Sequence, residues 1–342
     1  MTRAIVCGYY GMGNGGDEAL LATLLQLLPS HVQPVVLSGS PTETEKIHGV
    51  EAIGRQDWGA IARELRRSDV FIWGGGSLMQ DFSSWRSPFY YGGLMLWAKQ
   101  WGLTTIAWAQ GIANLRGGLT RRFTRRVFRA VDRLSVRDSG SAQLLESWGY
   151  SCLVAPDPVW ALSWDRSAPI WQLPAPRVAV ALRPHPLLDR SRLEVIKTAL
   201  VSFQRATDVH ILLVPFQPQK DREIAQMLHQ AIPHSTIVAV ERPQGLKGLF
   251  DGVEMTIGMR FHSLIMGLSQ QSRCWAINYD PKVGQLMAEF DLPGCAVADL
   301  PTDPNDLCQA WLEYFVNGES LSPTQIEAIT DRALIHKRLL EF

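Results

Sequence analysis

The chain has 342 residues, and its 33 lysines and arginines equal its 33 aspartates and glutamates, which gives a pI near 7.1. This length allows two domains, because single domains cluster near ~100–200 residues. The even charge balance disfavours nucleic acid as a partner, since neutralising a phosphate backbone requires an excess of basic residues. The five cysteines are scattered without metal-site spacing, so we expect free thiols and neither a metal nor a cofactor.

The N-terminus enters an apolar run at residues 4–7 with no signal-peptide pattern before it. The most apolar long stretch is interrupted by Lys99 and Gly102, which argues against a membrane-spanning helix. We therefore expect a cytoplasmic protein.

Short apolar runs alternate with helical stretches along the chain, which is the pattern of parallel βαβ units. In the first half the runs lie at residues 4–7, 35–37, 70–73, 105–109, 133–136 and 151–154. In the second half they lie at residues 178–182, 210–214, 236–239, 254–257 and 273–277. We predict an α/β protein with a Rossmann-like domain at 1–163, a proline-rich linker at 164–177, a second Rossmann-like domain at 178–321, and a C-terminal helix at 322–342 that packs back on the first domain. Two such doubly wound domains facing a cleft form a GT-B-like arrangement.

A glycine-rich loop follows the first predicted strand. Its glycines Gly11, Gly13 and Gly16 fit the dinucleotide-binding pattern. A nicotinamide cofactor is nevertheless disfavoured, because Asp17 and Glu18 would repel a pyrophosphate and the second strand ends at Ser38 without an acidic residue for the ribose. The loop instead favours a hydroxyl-rich ligand held by Asn14 and Asp17, although Asp17 as a helix N-cap remains an alternative.

Two further polar loops follow predicted strands of the first domain. Consecutive glycines at 74–76 allow close backbone approach to a ligand, and the next loop begins at Gln110. Any one of these loops has a purely structural explanation, but three at strand ends predict a binding site. Its predicted contacts are Gly76, Ser77, Gln80, Asp81 and Gln110.

In the second domain, residues 258–263 place Arg260 and His262 where a strand ends and a helix begins. The next strand end supplies Lys282. A salt-bridged surface pair is the ordinary explanation for Arg260 and His262, but three such groups at neighbouring strand ends favour a phosphate or carboxylate site.

These motifs resemble the polysaccharide pyruvyltransferase family, specifically its CsaB type. The matching segments are residues 8–19, 74–81, 110–112, 137–138, 157–159, 258–263 and 279–283. The chain departs from the family at Ala113 and Asn114, where Gly-Pro is common, and at Leu182, where serine is usual. The resemblance implies a GT-B-like fold and transfer of a carboxyethylidene group from phosphoenolpyruvate to two hydroxyls of a hexose in a cell-envelope, lipid-linked saccharide, with release of phosphate.

The resemblance also implies roles for the second-domain residues. Arg183 and Arg260 would bind the oxyanions of phosphoenolpyruvate, with further positive charge from Lys282. His262 would protonate the methylene carbon, after which a sugar hydroxyl attacks, phosphate leaves and a second hydroxyl closes the ketal. For the mechanism we expect Asp17 or Asp81 of the first domain as the base for the acceptor hydroxyl, and no metal cluster is evident in the sequence.

A basic helix is predicted at residues 119–131. Its arginines and those beside it are Arg116, Arg121, Arg122, Arg125, Arg126, Arg129 and Arg133. Interleaved with Phe123, Val127 and Phe128, they form a basic amphipathic pattern whose ordinary explanation is a solvated helix face, whereas a lipid-linked acceptor would favour peripheral contact with the inner face of an anionic membrane.

Two other functions remain open from the sequence. A GT-B glycosyltransferase with a nucleotide-sugar donor would release a nucleotide instead of phosphate. A non-catalytic glycan-binding protein of the envelope would be found outside the cytosol.

Overall fold

The computed structural model describes residues 1–81, 84–112 and 115–342, so Ala113 and Asn114 lie outside the described residues. These residues form two compact units, one of Met1–Leu162 with Ala328–Phe342 and the other of Ser163–Glu327. Each unit has its own buried apolar core. Within the described ranges, every helix is too short or too polar to cross a bilayer.

The first unit is built on a parallel sheet in the order β3-β2-β1-β4-β5-β6-β7. The strands are β1 (Thr2–Tyr10), β2 (Val32–Ser38), β3 (Glu51–Gly54), β4 (Val70–Gly76), β5 (Thr104–Gln110), β6 (Arg133–Val136) and β7 (Leu153–Val154). The helices are α1 (Gly15–Leu27), α2 (Pro41–His48), α3 (Trp58–Leu65), α4 (Arg86–Gln100), α5 (Gly118–Ala130), α6 (Ser139–Ser147) and a 3-10 helix at Pro158–Ala161. Strand order reverses between β1 and β4, and in such sheets ligands bind at the carboxyl ends beside that reversal.

The second unit repeats this topology in the order β10-β9-β8-β11-β12-β13. Its strands are β8 (Arg177–Ala181), β9 (His210–Leu213), β10 (Ser235–Ile237), β11 (Met255–Gly258), β12 (Arg273–Asn278) and β13 (Gly294–Ala296). Its helices are α7 (Arg190–Thr207), α8 (Pro218–Ala231), α9 (Pro243–Leu249), α10 (Phe261–Ser269), α11 (Pro281–Phe290) and α12 (Pro304–Asn317). The order reverses between β8 and β11. The predicted class of two doubly wound parallel-sheet domains is confirmed.

The proline-rich segment after residue 163 belongs to the second unit. Ala168 and Ile170 are buried, and Arg166 forms an ion pair with Asp251 at 2.9 Å. The segment packs on the unit because it alternates apolar residues with its prolines.

The C-terminal segment, α13 (Pro323–Leu334) followed by a 3-10 helix at Ile335–Leu340, ends against the sheet of the first unit. His336 is fully buried, with its ring nitrogens 2.9 Å from Ser135 Oγ and 3.0 Å from the Pro156 carbonyl. The indole of Trp108 donates to the His336 carbonyl at 3.1 Å. Burial lowers the pKa of His336 to about 4, so the ring is neutral at pH 7.

Candidate active site

The carboxyl ends of β8, β11 and β12 lie side by side in the second unit, because β11 pairs with both other strands. Arg183 follows β8, His262 lies in the first turn of α10 after β11, and Lys282 lies in the first turn of α11 after β12. All three side chains are partly exposed. The structure therefore brings the predicted basic residues to one sheet edge, beside the reversal of strand order.

Tyr279 orients Arg183. The Arg183 Nη1 donates to the Tyr279 hydroxyl at 3.0 Å, and the guanidinium lies 5.0 Å from the centre of the same ring. The ring of His185 meets Tyr279 edge-on at 5.2 Å. Burial and the charge of Arg183 lower the pKa of His185, which keeps this second imidazole neutral at pH 7. Tyr279 lies in the motif at residues 279–283, but the sequence alone did not indicate that it supports Arg183.

Arg260 is held by an acidic residue that the sequence analysis did not consider. Its Nε donates to Asp221 at 3.1 Å and its Nη2 donates to the other oxygen of that carboxylate. Arg260 is only 7% exposed and Asp221 is buried. This side of the guanidinium is therefore engaged within the second unit. The pair ties the β11–α10 turn to α8 and so positions His262.

The ring of Phe261 lies close to the two other basic groups of this edge, His262 and Lys282. The ring of Phe261 meets His262 edge-on at 5.2 Å, and Lys282 Nζ lies 5.9 Å from the centre of the same ring. The Lys282 backbone is fixed at the start of α11, where its N–H donates to Asp280 at 3.1 Å. Lys282 thus adds positive charge close to the imidazole.

In the first unit, the loop after β1 meets the loop after β4. Helix α1 begins at Gly15 with Asn14 as N-cap, so Asp17 lies inside its first turn and is not the N-cap. The Asn14 amide donates to the Asp17 carboxylate. A Cβ at Gly76, where φ is +89°, would lie 3.3 Å from Asp17 Oδ1. Glycine at this position therefore lets the two loops approach closely.

Two of the predicted ligand contacts, Ser77 and Gln110, form hydrogen bonds within the protein. Ser77 accepts a hydrogen bond from Arg137 at 3.2 Å, and Arg137 forms a buried ion pair with Asp157 at 2.7 Å. Gln110 is buried and donates to the Trp108 carbonyl at 2.9 Å, while its Oε1 has no hydrogen-bond partner within the described residues. Both side chains support the loops, whereas Gln80 is partly exposed beside them.

Asp81 caps α5. Its carboxylate accepts from the backbone N–H groups of Arg116 at 2.9 Å and Gly117 at 2.8 Å, and also from the Thr120 hydroxyl. Burial acts to raise the pKa of Asp81, but these hydrogen bonds outweigh it and lower the pKa. A carboxylate whose oxygens are so well satisfied is a poor base.

A basic residue at this edge was missed altogether. Arg55 follows β3, and its guanidinium lies 4.9 Å from the ring centre of Tyr90, 5.7 Å from that of Tyr91 and 5.9 Å from that of Tyr9. The apolar run of β3 is too short to be recognised as a strand from the sequence, so Arg55 was not seen to follow a strand end.

Solved structures with the same fold cover nearly the whole chain at low identity. The UDP-GlcNAc 2-epimerase of Neisseria meningitidis matches with a TM-score of 0.69 at 9% identity, covering 100% of both chains. A glycosyltransferase of Rickettsia africae gives 0.59 at 13% identity and covers 99% of both chains. MurG of Acinetobacter baumannii gives 0.51 at 12% identity, covering 99% of this chain and 95% of its own.

At such identities the likeness establishes the GT-B-like fold alone. No curated protein sequence matches the chain significantly. The family model described as polysaccharide pyruvyl transferase, however, matches residues 14–281, a range that contains Asn14, Asp17, Arg183 and His262 and ends one residue before Lys282. The chain therefore belongs to the polysaccharide pyruvyl transferase family.

Proposed function

We propose that this protein, as a pyruvyltransferase of the CsaB type, transfers the carboxyethylidene group of phosphoenolpyruvate to two hydroxyls of a hexose in a cell-envelope saccharide. The observation that carries the proposal is the basic edge of the second unit, where Arg183, His262 and Lys282 follow adjacent strands. Phosphoenolpyruvate carries a phosphate and a carboxylate close together, and such a pair of anions needs more than one cation.

The proposed donor contacts follow from the support each side chain receives. Arg183, oriented by Tyr279, binds an oxyanion of phosphoenolpyruvate, and Lys282 offsets charge on the departing phosphate. Arg260 acts as a positioning residue, because Asp221 holds its guanidinium.

His262 is the proposed acid. It gives its proton to the methylene carbon, the double-bond electrons form the new C–H bond, and the central carbon becomes an oxocarbenium-like centre. A sugar hydroxyl attacks this carbon and loses its proton to Asp17. The C–O bond to phosphate then breaks and phosphate leaves. A second hydroxyl attacks to close the ketal and gives its proton to the imidazole of His262, which restores the acid. On the acceptor side, Asn14 orients Asp17.

The test supplies phosphoenolpyruvate and a panel of lipid-linked saccharides, and measures phosphate release and product mass. We expect phosphate together with a saccharide heavier by one carboxyethylidene group. Release of a nucleotide from a nucleotide sugar, with no consumption of phosphoenolpyruvate, would instead identify a glycosyltransferase.

We further propose that the acceptor is lipid-linked and that α5 rests on an anionic membrane surface. Residues 82–131 contain no aspartate or glutamate but include eight lysines and arginines, although the whole chain is neutral. The α5 arginines that are exposed are Arg121, Arg122, Arg125, Arg126 and Arg129. In the described part of the chain, none of these forms an ion pair. Nearby, Leu119 is 71% exposed and Trp85 is 64% exposed.

An aromatic ladder connects Trp85 to this helix. Trp85 meets Phe89 at 6.1 Å, and Phe89 meets Phe123 of α5 at 5.0 Å. Exposed tryptophan and leucine beside unpaired arginines suit the boundary between lipid headgroups and acyl chains. Each arginine near such a surface contributes about 1 kcal/mol, which salt screens.

Sedimentation with vesicles of anionic phosphatidylglycerol and neutral phosphatidylcholine tests the membrane contact. We expect binding to the anionic vesicles at low salt, and its loss when Arg121, Arg122 and Arg126 become glutamine. Replacing Arg190, Arg205 and Arg222 of the second unit is the matched control and should leave binding intact. Equal sedimentation with both kinds of vesicle would show that the basic face of α5 is a solvated surface and does not bind anionic lipid.

A further inference from the structure

We propose that the acceptor carries an anionic group, and that Arg55 with the tyrosines around it forms the subsite for that group. The inference rests on the proposed function, because it names the class of saccharide that the first unit accepts. That class is a sugar bearing a phosphate or a carboxylate.

The Arg55 guanidinium is enclosed by aromatic rings and by one hydroxyl. In addition to its three ring contacts, Nη2 donates to the Tyr91 hydroxyl at 3.3 Å. The Tyr90 hydroxyl donates to the Arg55 carbonyl at 2.6 Å, which fixes the backbone beneath the side chain. The guanidinium is thus held in place before any ligand arrives.

The charge of Arg55 lacks an anionic partner. Within residues 1–81, 84–112 and 115–342, no carboxylate forms an ion pair with Arg55. The side chain is only partly exposed, so its charge has lost part of its hydration. The ring faces offset some of that loss through cation–π contacts. A ligand oxyanion would restore a full charge-assisted hydrogen bond.

Arg55 lies at the same edge as the predicted acceptor loop. Its N–H donates to the Ser38 carbonyl at 2.9 Å, and the N–H of Gly39 donates to the Tyr10 carbonyl at 2.9 Å. Any side chain at Gly11 would clash with Ser38. The end of β2 therefore contacts both Arg55 and the loop that leads to Asp17.

An exposed ring lies beside the cage. Trp58, at the start of α3, is 53% exposed and meets Tyr90 edge-on at 6.0 Å. Exposed aromatic faces bind the apolar faces of sugar rings, while a fixed cation binds an attached anion. Together these groups suit a charged sugar better than a neutral one.

Binding measured without phosphoenolpyruvate tests the subsite, with glucose, glucose 1-phosphate and glucuronic acid as probes in calorimetric titrations. We expect the wild type to bind at least one anionic sugar roughly tenfold more tightly than glucose, the scale of a hydrogen bond to a charged group. Whichever probe shows the preference identifies phosphate or carboxylate as the group. Equal or undetectable binding of the anionic and neutral sugars by the wild type would overturn the proposal, whatever any variant does.

Substitutions then assign the preference to the residue. Arg55→Gln should abolish it, while Arg55→Lys, which keeps the charge but not the planar fork, should retain part of it. Arg63→Gln, on the exposed face of α3, is the control and should behave as wild type. A full preference in Arg55→Gln would also overturn the proposal. If Arg55→Gln does not fold, a reduced or lost preference in folded Arg55→Lys supports the proposal, and a preference identical to wild type overturns it.

The proposed reaction and the proposed Arg55 subsite can be disproved independently of each other. If the anionic preference depends on Arg55 but no saccharide stimulates phosphate release, only the proposed reaction is wrong. If phosphate release proceeds as fast on neutral saccharides as on anionic ones, and Arg55→Gln does not change it, only the subsite is wrong.

Discussion

The two units share one strand order but present different groups beside the point where that order reverses. Beside the reversal of strand order, the first unit presents glycine turns with Asn14 and Asp17, whereas the second presents Arg183, His262 and Lys282. The common topology therefore supplies a place for a ligand, and the few residues after each strand determine which ligand that place suits.

Each of the two edges also has a buried ion pair of its own. Arg137 pairs with Asp157 in the first unit, and Arg260 pairs with Asp221 in the second. Each pair fixes a loop that carries the predicted ligand contacts. The positioning of the loops is thus similar in both units, even though the exposed groups differ.

The largest expected effect lies at the basic edge. His262→Ala should lower kcat by about 10²–10⁴-fold while changing phosphoenolpyruvate affinity little, because a general acid acts in the transition state. Phosphate release gives kcat, and calorimetry gives the affinity. His234→Ala, an exposed histidine of the same unit, is the control. Near-normal turnover in His262→Ala would remove it from the chemistry.

Removing the Asp221 carboxylate, which pairs with Arg260 behind the basic edge, should lower the free energy of unfolding. Asp221→Ala leaves the charge of Arg260 buried and unpaired, so we expect a loss of about 3–5 kcal/mol in the free energy of unfolding. Urea unfolding followed by circular dichroism measures it. Asp251→Ala, which breaks the exposed pair with Arg166, should cost no more than about 1 kcal/mol. Similar losses in the two variants would show that the buried pair contributes no more to stability than the exposed pair does.

Acid should weaken the first unit through His336. Its pKa is lowered to about 4 because burial disfavours the charged ring, while the charge of Asp157 raises the pKa and that of Arg137 lowers it. The folded-state pKa lies below the unfolded value near 6.5, so the stabilisation is present above pH 6.5 and is lost as pH falls toward 4. The full effect is about 3 kcal/mol.

His336→Gln provides the comparison, since its amide can still donate to Pro156 and accept from Ser135. Urea midpoints at pH 7 and pH 4.5 should differ more in the wild type than in this variant. Equal differences would assign the acid sensitivity to other groups.

The smallest expected effect concerns the orientation of Arg183. Tyr279→Phe keeps the ring face but removes one hydrogen bond, worth about 0.5–1.5 kcal/mol, so the KM for phosphoenolpyruvate should rise a few-fold. Tyr314→Phe, which removes an exposed hydroxyl bonded to the Glu319 carbonyl, is the control. An unchanged KM in Tyr279→Phe would show that the ring face alone orients the guanidinium.

The sequence predicted the basic edge because Arg183, His262 and Lys282 each follow an apolar run closely, and parallel strands bring their carboxyl ends together. The pairing of Arg260 was not predictable in the same way. Asp221 lies on a different element, and the sequence does not show that α8 turns this carboxylate inward.

Asp81 shows a second limit. A carboxylate after a glycine-rich strand end looks like a ligand group, and only the path of the chain to Arg116 and Gly117 makes it the acceptor that holds the turn before α5. Arg55 was missed for the opposite reason, because β3 is a four-residue edge strand with almost no apolar pattern. Contacts between distant segments, and not local pattern, decide both cases.

The first unit is assembled from both ends of the chain, since the segment around His336 and Leu340 lies against its sheet. During synthesis the second unit is therefore complete in sequence before the first can close over Trp108. We expect the ribosome-bound chain to hold a folded second unit while the sheet of the first unit stays uncovered around Trp108, open to chaperones until residues 335–340 emerge.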